Sequence, residues 1–198
     1  MEELSHGTKL AGCRFSVYPM TDNFVKVIKG ALNEVDKTKV WMKTDDISTC
    51  IRGRSEDVFD VTKAIFIHAA KTGVHVVFNG TFSIGSPEDI EEDSYLSEDG
   101  CRMNEETSLQ EKVEVASHFA LYPMNTSNYT KIISEQITLA KECGTFTKDV
   151  HYASRLDGDA NDVFNTLEKI FVNASKINDV SITMTAAISA NSPSKKDK

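Results

Sequence analysis

The sequence predicts an α+β chain built as a tandem repeat of two ferredoxin-like βαββαβ units, each an antiparallel sheet with its helices on one face. Three observations predict it. The stretch Phe15-Ser16-Val17-Tyr18-Pro19-Met20 returns as Phe119-Ala120-Leu121-Tyr122-Pro123-Met124. Asp57-Val58-Phe59, Ile65-Phe66 and Ala69 return as Asp162-Val163-Phe164, Ile170-Phe171 and Ala174, and the offset between copies stays at 104 to 106 residues. Within each copy the hydrophobic period switches between two and 3.6 in the order strand, helix, strand, strand, helix, strand, which is the split βαβ arrangement. A period this long far exceeds the roughly 20–50 residues of a solenoid unit and matches a small domain. The expected division is residues 1–87 for the first unit, 88–112 for an acidic connection, and 113–198 for the second unit with a charged tail.

Each element has a local reason. Residues 11–18 alternate, with Cys13, Phe15 and Val17 in one phase and Arg14, Ser16 and Tyr18 in the other, as in a half-buried strand. Pro19 stops the strand because it has no amide hydrogen for the ladder. Thr21-Asp22 supplies candidate caps, and Phe24, Val27, Ile28, Ala31 and Val35 then form one helical stripe. Residues 40–44 and 47–52 are two short extended runs joined through Thr44-Asp45-Asp46. Asp57 is expected to cap a second helix carrying Val58, Val61, Ile65 and Ala69, with Gly73 at its end. A long strand from Val74 to Ile84 closes the unit.

The connection, with Pro87-Glu88-Asp89-Ile90-Glu91-Glu92-Asp93 and Glu98-Asp99-Gly100, is acidic and long for a loop. It either wraps over the surface or carries a small strand near Tyr95-Leu96. The second unit then repeats the order. It has a strand at Ser117–Tyr122, a helix carrying Tyr129, Ile132, Ile133, Ile137 and Ala140 up to Gly144, and strands at 145–149 and 152–157. A helix from Asp162 and a strand at Val180–Ser189 complete it. The tail Ser194-Lys195-Lys196-Asp197-Lys198 is expected to fray.

Bulk composition narrows the function. The net charge of −8 argues against a nucleic-acid binder, whose footprint is a basic patch. No run of about 18 apolar residues exists, so membrane insertion is not expected. Met1-Glu2-Glu3-Leu4-Ser5-His6 is acidic and lacks the apolar stretch of a signal peptide, so a cytoplasmic location is expected. Cys13, Cys50, Cys101 and Cys143 show no C-x-x-C spacing and read as free thiols, with no metal site and no cofactor expected.

No phosphate-binding loop, nucleophile elbow or H-E-x-x-H sequence is present. Asp157-Gly158-Asp159-Ala160-Asn161-Asp162 resembles a calcium loop but lacks its remaining spacing and final glutamate, so it reads as a polar turn ending in a helix cap. The histidines are scattered. His68 has Asn173 as its repeat counterpart, so a hydrogen-bonding helix residue explains both. His75 and His118 read as strand-surface residues. His151, opposite Asp46 of the first copy, has a better claim to a ligand role because the hairpin is the most chemically varied part of the repeat.

Polar groups concentrate at that hairpin. The candidate ligand-binding residues are Ser16, Tyr18, Asp45, Ser48, Thr49 and Asn79 in the first copy, with Tyr122, His151, Ser154 and Thr185 in the second. A hydroxyl persists at Thr49 and Ser154. Because the first and third strands are neighbours in this fold, Ser16 and Thr49 are expected side by side. Hydroxyls, an amide and carboxylates beside Tyr18, Trp41 and Phe78 suit a small flat heterocycle with ring nitrogens and an amino group. The same residues also suit an ordinary polar sheet face. No catalytic residue is nominated, and an enzyme is not expected. The alternatives are a cofactor-free ferredoxin-like oxygenase or isomerase with a histidine base, or a tandem amino-acid-sensing regulatory module.

The chain resembles the YkoF family of thiamine- and hydroxymethylpyrimidine-binding proteins. The matching segments are Ala11 through Asp22, Lys39-Val40-Trp41, Lys43-Thr44-Asp45, Ile47-Ser48-Thr49 and Asn79 through Gly85. In the second half they are Phe119–Asn125, Val150 through Ser154, Leu156 through Ala160 and Ser189–Ser194. The resemblance covers nearly the whole chain and is loosest in the acidic connection. It implies a tandem ferredoxin-like fold, a homodimer, and ligand sites in both repeats. It also implies a role in vitamin transport or salvage, beside an energy-coupling-factor type transporter for the thiamine precursor. The copies are not equivalent: Ser16 becomes Ala120, Ser48 becomes Ala153 and Asn79 becomes Thr185. Each change trims hydrogen-bonding capacity, so the second site is expected to be weaker or to prefer another part of the ligand.

Overall fold

A computed structural model describes residues 10–85, 93–99 and 101–194. The readings placed on Met1–His6, on the acidic run 87–92 and on the last four residues lie outside the described residues. The elements are β1 (Ala11–Pro19), α1 (Phe24–Glu34), β2 (Trp41–Thr44), β3 (Thr49–Gly53), α2 (Ser55–Ala70) and β4 (Val76–Ile84). After the connection with its short α3 (Glu105–Leu109) come β5 (Glu114–Met124), α4 (Tyr129–Glu142), β6 (Phe146–Val150), β7 (Ala153–Asp159), α5 (Ala160–Ser175) and β8 (Ser181–Ala190). Each half is a βαββαβ unit, as the periodicity predicts.

The two four-stranded sheets are not separate. They fuse through their last strands into one eight-stranded antiparallel sheet in the order β2-β3-β1-β4-β8-β5-β7-β6. Fusion pairs two edges that would otherwise expose unpaired amides and carbonyls. Along the seam Gly80 pairs with Ala186, its own repeat counterpart, so an approximate twofold relating the repeats passes through this pair. Gly80 has no room for a side chain, since a Cβ there would lie 2.6 Å from the Phe78 ring.

One face of the sheet is packed and the other is not. Cys13, Phe15, Phe78, Phe82, Phe119, Met184 and Ile188 are buried beneath the helices. Phe59 of α2 stacks on Phe82 with centroids 4.4 Å apart, and Phe66 lies 5.8 Å from Phe164 of α5. The reciprocal pair Phe59–Phe171 lies at 5.7 Å. Aromatic burial of this kind contributes area and a further ~0.5–1.5 kcal/mol per well-placed pair, and here it joins the two repeats into one core. The opposite phase, including Arg14, Tyr18, Asn79, His118 and Tyr122, faces away from the helices.

Three local expectations are corrected. α2 begins at Ser55, with Arg54 at the cap position, so Asp57 sits inside the first turn. There its buried carboxylate accepts a hydrogen bond from the Ser97 hydroxyl at 2.5 Å. The N-cap position of the first helix is Asn23, whose side chain makes no capping bond, and not Thr21-Asp22. Thr21 instead accepts from the Asn23 amide at 3.3 Å, a turn repeated by Thr126 and Asn128 at 3.1 Å. The polar turn at 157–162 does end in a cap, but the cap is Asp159, which accepts from the Asn161 amide at 3.0 Å and starts α5 at Ala160.

The described part of the connection contains no strand near Tyr95-Leu96. It lies across the helix layer and is tied down at several points. Asn104 donates through its backbone and side chain to Asp60 (3.0 and 2.8 Å) and exchanges bonds with the Asp36 backbone (2.7 and 2.9 Å). Arg102 forks onto Glu168 of α5 (2.8 and 2.6 Å). Asn161 donates to the carbonyls of Ser108 and Glu111 (3.0 and 3.3 Å).

Candidate functional site

The β2–β3 hairpin is shaped by Asp45. Its Oδ1 accepts from the amides of Ile47 and Ser48 (2.9 and 2.8 Å), closing the turn locally as aspartate does in Asx turns. Arg14, reaching over from β1, donates to Asp45 Oδ2 at 3.0 Å and to Ser48 Oγ at 2.9 Å. The two amides and then the guanidinium lower the Asp45 carboxyl to about 2. Asp45 is therefore a fixed negative charge at the hairpin tip.

Strand alternation divides the hydroxyls. Thr49 pairs with Phe15 and takes its phase, toward the helices. Its hydroxyl lies 2.9 Å from that of Thr44 across the hairpin. The second hairpin repeats this pair as Asp149 and Ser154, with Ser154 Oγ donating to Asp149 Oδ1 at 3.1 Å. Ser16 is one residue further along β1 and lies in the uncovered phase, where its hydroxyl reaches the Ile47 carbonyl at 3.4 Å. The expectation that Ser16 and Thr49 lie side by side is thus corrected, because adjacent strand residues point to opposite faces.

Between each hairpin and the first helix of its repeat is a cavity. The first, of about 530 Å³, is walled by Phe15, Phe24, Ile28 and Leu32 and carries Thr44, Asp45, Asp46 and Thr49 on its polar side. The second, of about 870 Å³, is walled by Phe119, Leu121, Tyr129, Ile133 and Ile137 and carries Asp149, Ser154 and Gln136. The two are lined by equivalent positions of the repeat. A smaller cavity of about 320 Å³ lies on the uncovered sheet face near the seam, lined by Arg14, Asn79, Thr81, His118 and Thr185 among others.

The nominated residues fall into these places unevenly. Ser16, Tyr18, Asp45, Ser48 and Thr49 border the first cavity. Tyr122 and Ser154 border the second, and Tyr122 also borders the cavity on the open face. Asn79 and Thr185 lie only on the open face, flanking the seam. His151 lines none of these cavities and sits exposed on the second hairpin beside Tyr152, which is 98% exposed and has a positive φ of 66°. His68 is buried on α2 with Nδ1 3.1 Å from Glu34 Oε2, yet neither ring nitrogen makes a well-formed hydrogen bond. Burial first, and the nearby Lys71 charge second, lower its pKa. Trp41 and Phe78 do not wall a hairpin cavity. Trp41 pairs with Arg52 on the outer strands, and Phe78 is buried in the aromatic core.

Sequence reasoning overlooked Thr44, Asp149 and Gln136. A signal for the first two existed: a hairpin closing over four residues places 44 opposite 49 and 149 opposite 154, so a retained hydroxyl had a polar cross-strand partner in both copies. Among the described residues, no cluster of three or more metal-ligating side chains occurs, and no helix is long and apolar enough to cross a membrane.

The family model described as the YKOF-related family matches residues 10–89 and again residues 114–195. A Bacillus subtilis (strain 168) protein named "Putative HMP/thiamine-binding protein YkoF" is 52% identical over 198 residues, a match covering 100% of this chain and 98% of that protein.

Proposed function

The chain belongs to the YKOF-related family, and from that premise we propose that it is a non-enzymatic binding protein for thiamine and its hydroxymethylpyrimidine precursor, with one site in each repeat. The observation that carries this reading is the pair of equivalent cavities, each closed by a hairpin whose facing polar pair is Thr44–Thr49 or Asp149–Ser154. Volumes of about 530 and 870 Å³ fall within the range of small-molecule sites. Apolar and aromatic walls supply contact area for a flat ring. Hydroxyls and carboxylates accept from an exocyclic amino group and favour a cationic second ring. Neither His68 nor His151 lines a hairpin cavity, which supports binding over chemistry by a histidine base.

The reading extends to the setting. A cytoplasmic homodimer is proposed, serving uptake or salvage beside an energy-coupling-factor type transporter. The uncovered sheet face, with Tyr18 and Tyr122 each about half exposed, is the surface such a dimer would bury. Among the described residues no glycine-rich cradle lies at either cavity, so unphosphorylated ligands are expected to bind better than the diphosphate. Calorimetric titration with thiamine, free hydroxymethylpyrimidine and thiamine diphosphate tests the reading. Binding of the first two, with the diphosphate weakest, is the expected result. Turnover of any of them, or binding of amino acids in their place, would overturn it.

A further inference from the structure

The floors of the two cavities differ in kind. In the first repeat the α1 residue at the floor is Ala31, beside Ile65 and Ala69 of α2. In the second repeat the same position is Gln136, which is only 1% exposed and lines the cavity. Its neighbour on α5 is Asn173, the counterpart of His68. Asn173 Nδ2 donates to Gln136 Oε1 at 3.1 Å. That bond uses the carbonyl end of the amide. The N–H₂ end is the part of this cavity-lining side chain that Asn173 does not engage.

We propose that Gln136 is a specificity-determining residue of the second repeat, donating a hydrogen bond from its side-chain amide to a ring nitrogen or hydroxyl oxygen of the bound heterocycle. This rests on the binding reading above. The chemistry is that of a buried donor. An amide N–H at the floor of an apolar-walled cavity can donate to a ligand acceptor, and once the ligand has displaced water a missing acceptor leaves that donor unpaired. Asp149, lining the same cavity, accepts only. The second cavity therefore offers a donor from its floor and acceptors from its hairpin, which suits a ring bearing both an amino group and an acceptor nitrogen. The first cavity, with Ala31 in place of the glutamine, reads no acceptor at its floor. A site built to hydrogen-bond a ligand atom rejects the analogue lacking it far more strongly than an apolar site does.

The test is a titration with hydroxymethylpyrimidine and with its two pyridine analogues, in each of which one ring nitrogen is replaced by C–H. Hydroxymethylpyridine lacking the acceptor that Gln136 reads should lose on the order of tenfold or more in affinity at the second site of the wild-type chain. Gln136→Leu should weaken the parent ligand there by a similar factor, abolish discrimination between parent and analogue, and leave the first site alone. Ala31→Gln should give the first site a discrimination it lacks, and it keeps the proposal testable if Gln136→Leu fails to fold. Wild-type protein that binds the analogues as well as the parent at both sites, or a Gln136→Leu chain that still discriminates, overturns the proposal. Wild-type protein that binds no pyrimidine at all overturns the binding reading itself.

Discussion

Thr49 lies directly across from Phe15 on the neighbouring strand, so its hydroxyl is carried to the helix side of the sheet, 2.9 Å from that of Thr44. A single step along β1, to Ser16, changes face. The hydroxyls of Thr49 and Ser16 are thereby sent to opposite faces of the sheet, although both residues border the first cavity.

Thr49→Val keeps the shape of the side chain and removes its hydroxyl. Losing a hydrogen bond costs about 0.5–1.5 kcal/mol if water substitutes, and about 1–3 kcal/mol if a buried partner is left unpaired. The expected outcome is a roughly threefold to hundredfold loss of thiamine affinity at the first repeat, with the second repeat unchanged. Two unaltered binding events in a titration of the folded variant would show Thr49 to be only a strand residue.

Much of the architecture is legible in the chain because both periodicities are clean. Phe15 and Val17 against Arg14 and Ser16 declare a strand, and the return of Phe15 and Tyr18-Pro19-Met20 as Phe119 and Tyr122-Pro123-Met124 declares the repeat. Fusion of the sheets is not legible, since an edge strand and a seam strand carry the same alternation: Val76, Phe78 and Phe82 would be buried in either case. The boundary at Asn23 was missed because Thr21, Asp22 and Asn23 are all acceptable cap residues, so local chemistry does not choose among them. The site is half legible. Retention of a hydroxyl at Thr49 and Ser154 points to the hairpin, whereas Asn79 and Thr185 lie on the open face beside the seam, a placement that alternation alone does not reveal. Gln136 carries no signal in a single copy, and only the substitution for Ala31 across the repeat marks it.

Asn104 ties the connection to both α2 and the end of α1. Asn104→Ala removes the side-chain bonds to Asp60 and to the Asp36 backbone, while Asp60 Oδ1 already has no partner. The expected loss of stability is about 1–3 kcal/mol, the cost of buried groups left unpaired. Denaturant unfolding should show a lower midpoint with an unchanged slope. A midpoint equal to that of the wild type would mean that the Asn104 side chain contributes nothing to the fold.

His68 gives the fold a pH dependence. Burial, with the Lys71 charge, holds its folded-state pKa below the ordinary value, against opposing pulls from Glu34 and Glu111. The unfolded chain therefore binds a proton more readily as pH falls below about 6.5, so this contribution to stability is present at neutral pH and is lost on acidification. Replacing His68 by Asn, the residue at the equivalent position 173, removes the titrating ring. Thermal melts from about pH 7.5 down to about pH 5.5 should then show a smaller fall in Tm than the wild type shows. An identical fall in both proteins would assign the pH dependence elsewhere.

The central claim is the location of the ligand, and a crystal structure of the chain with thiamine bound tests it most directly. The predicted result is one thiamine in each hairpin cavity, on the helix side of the sheet, with the pyrimidine in contact with Thr44 and Thr49 in the first repeat and with Asp149 and Ser154 in the second. Thiamine found instead on the open sheet face, among Asn79, Thr81 and Thr185, would contradict the account.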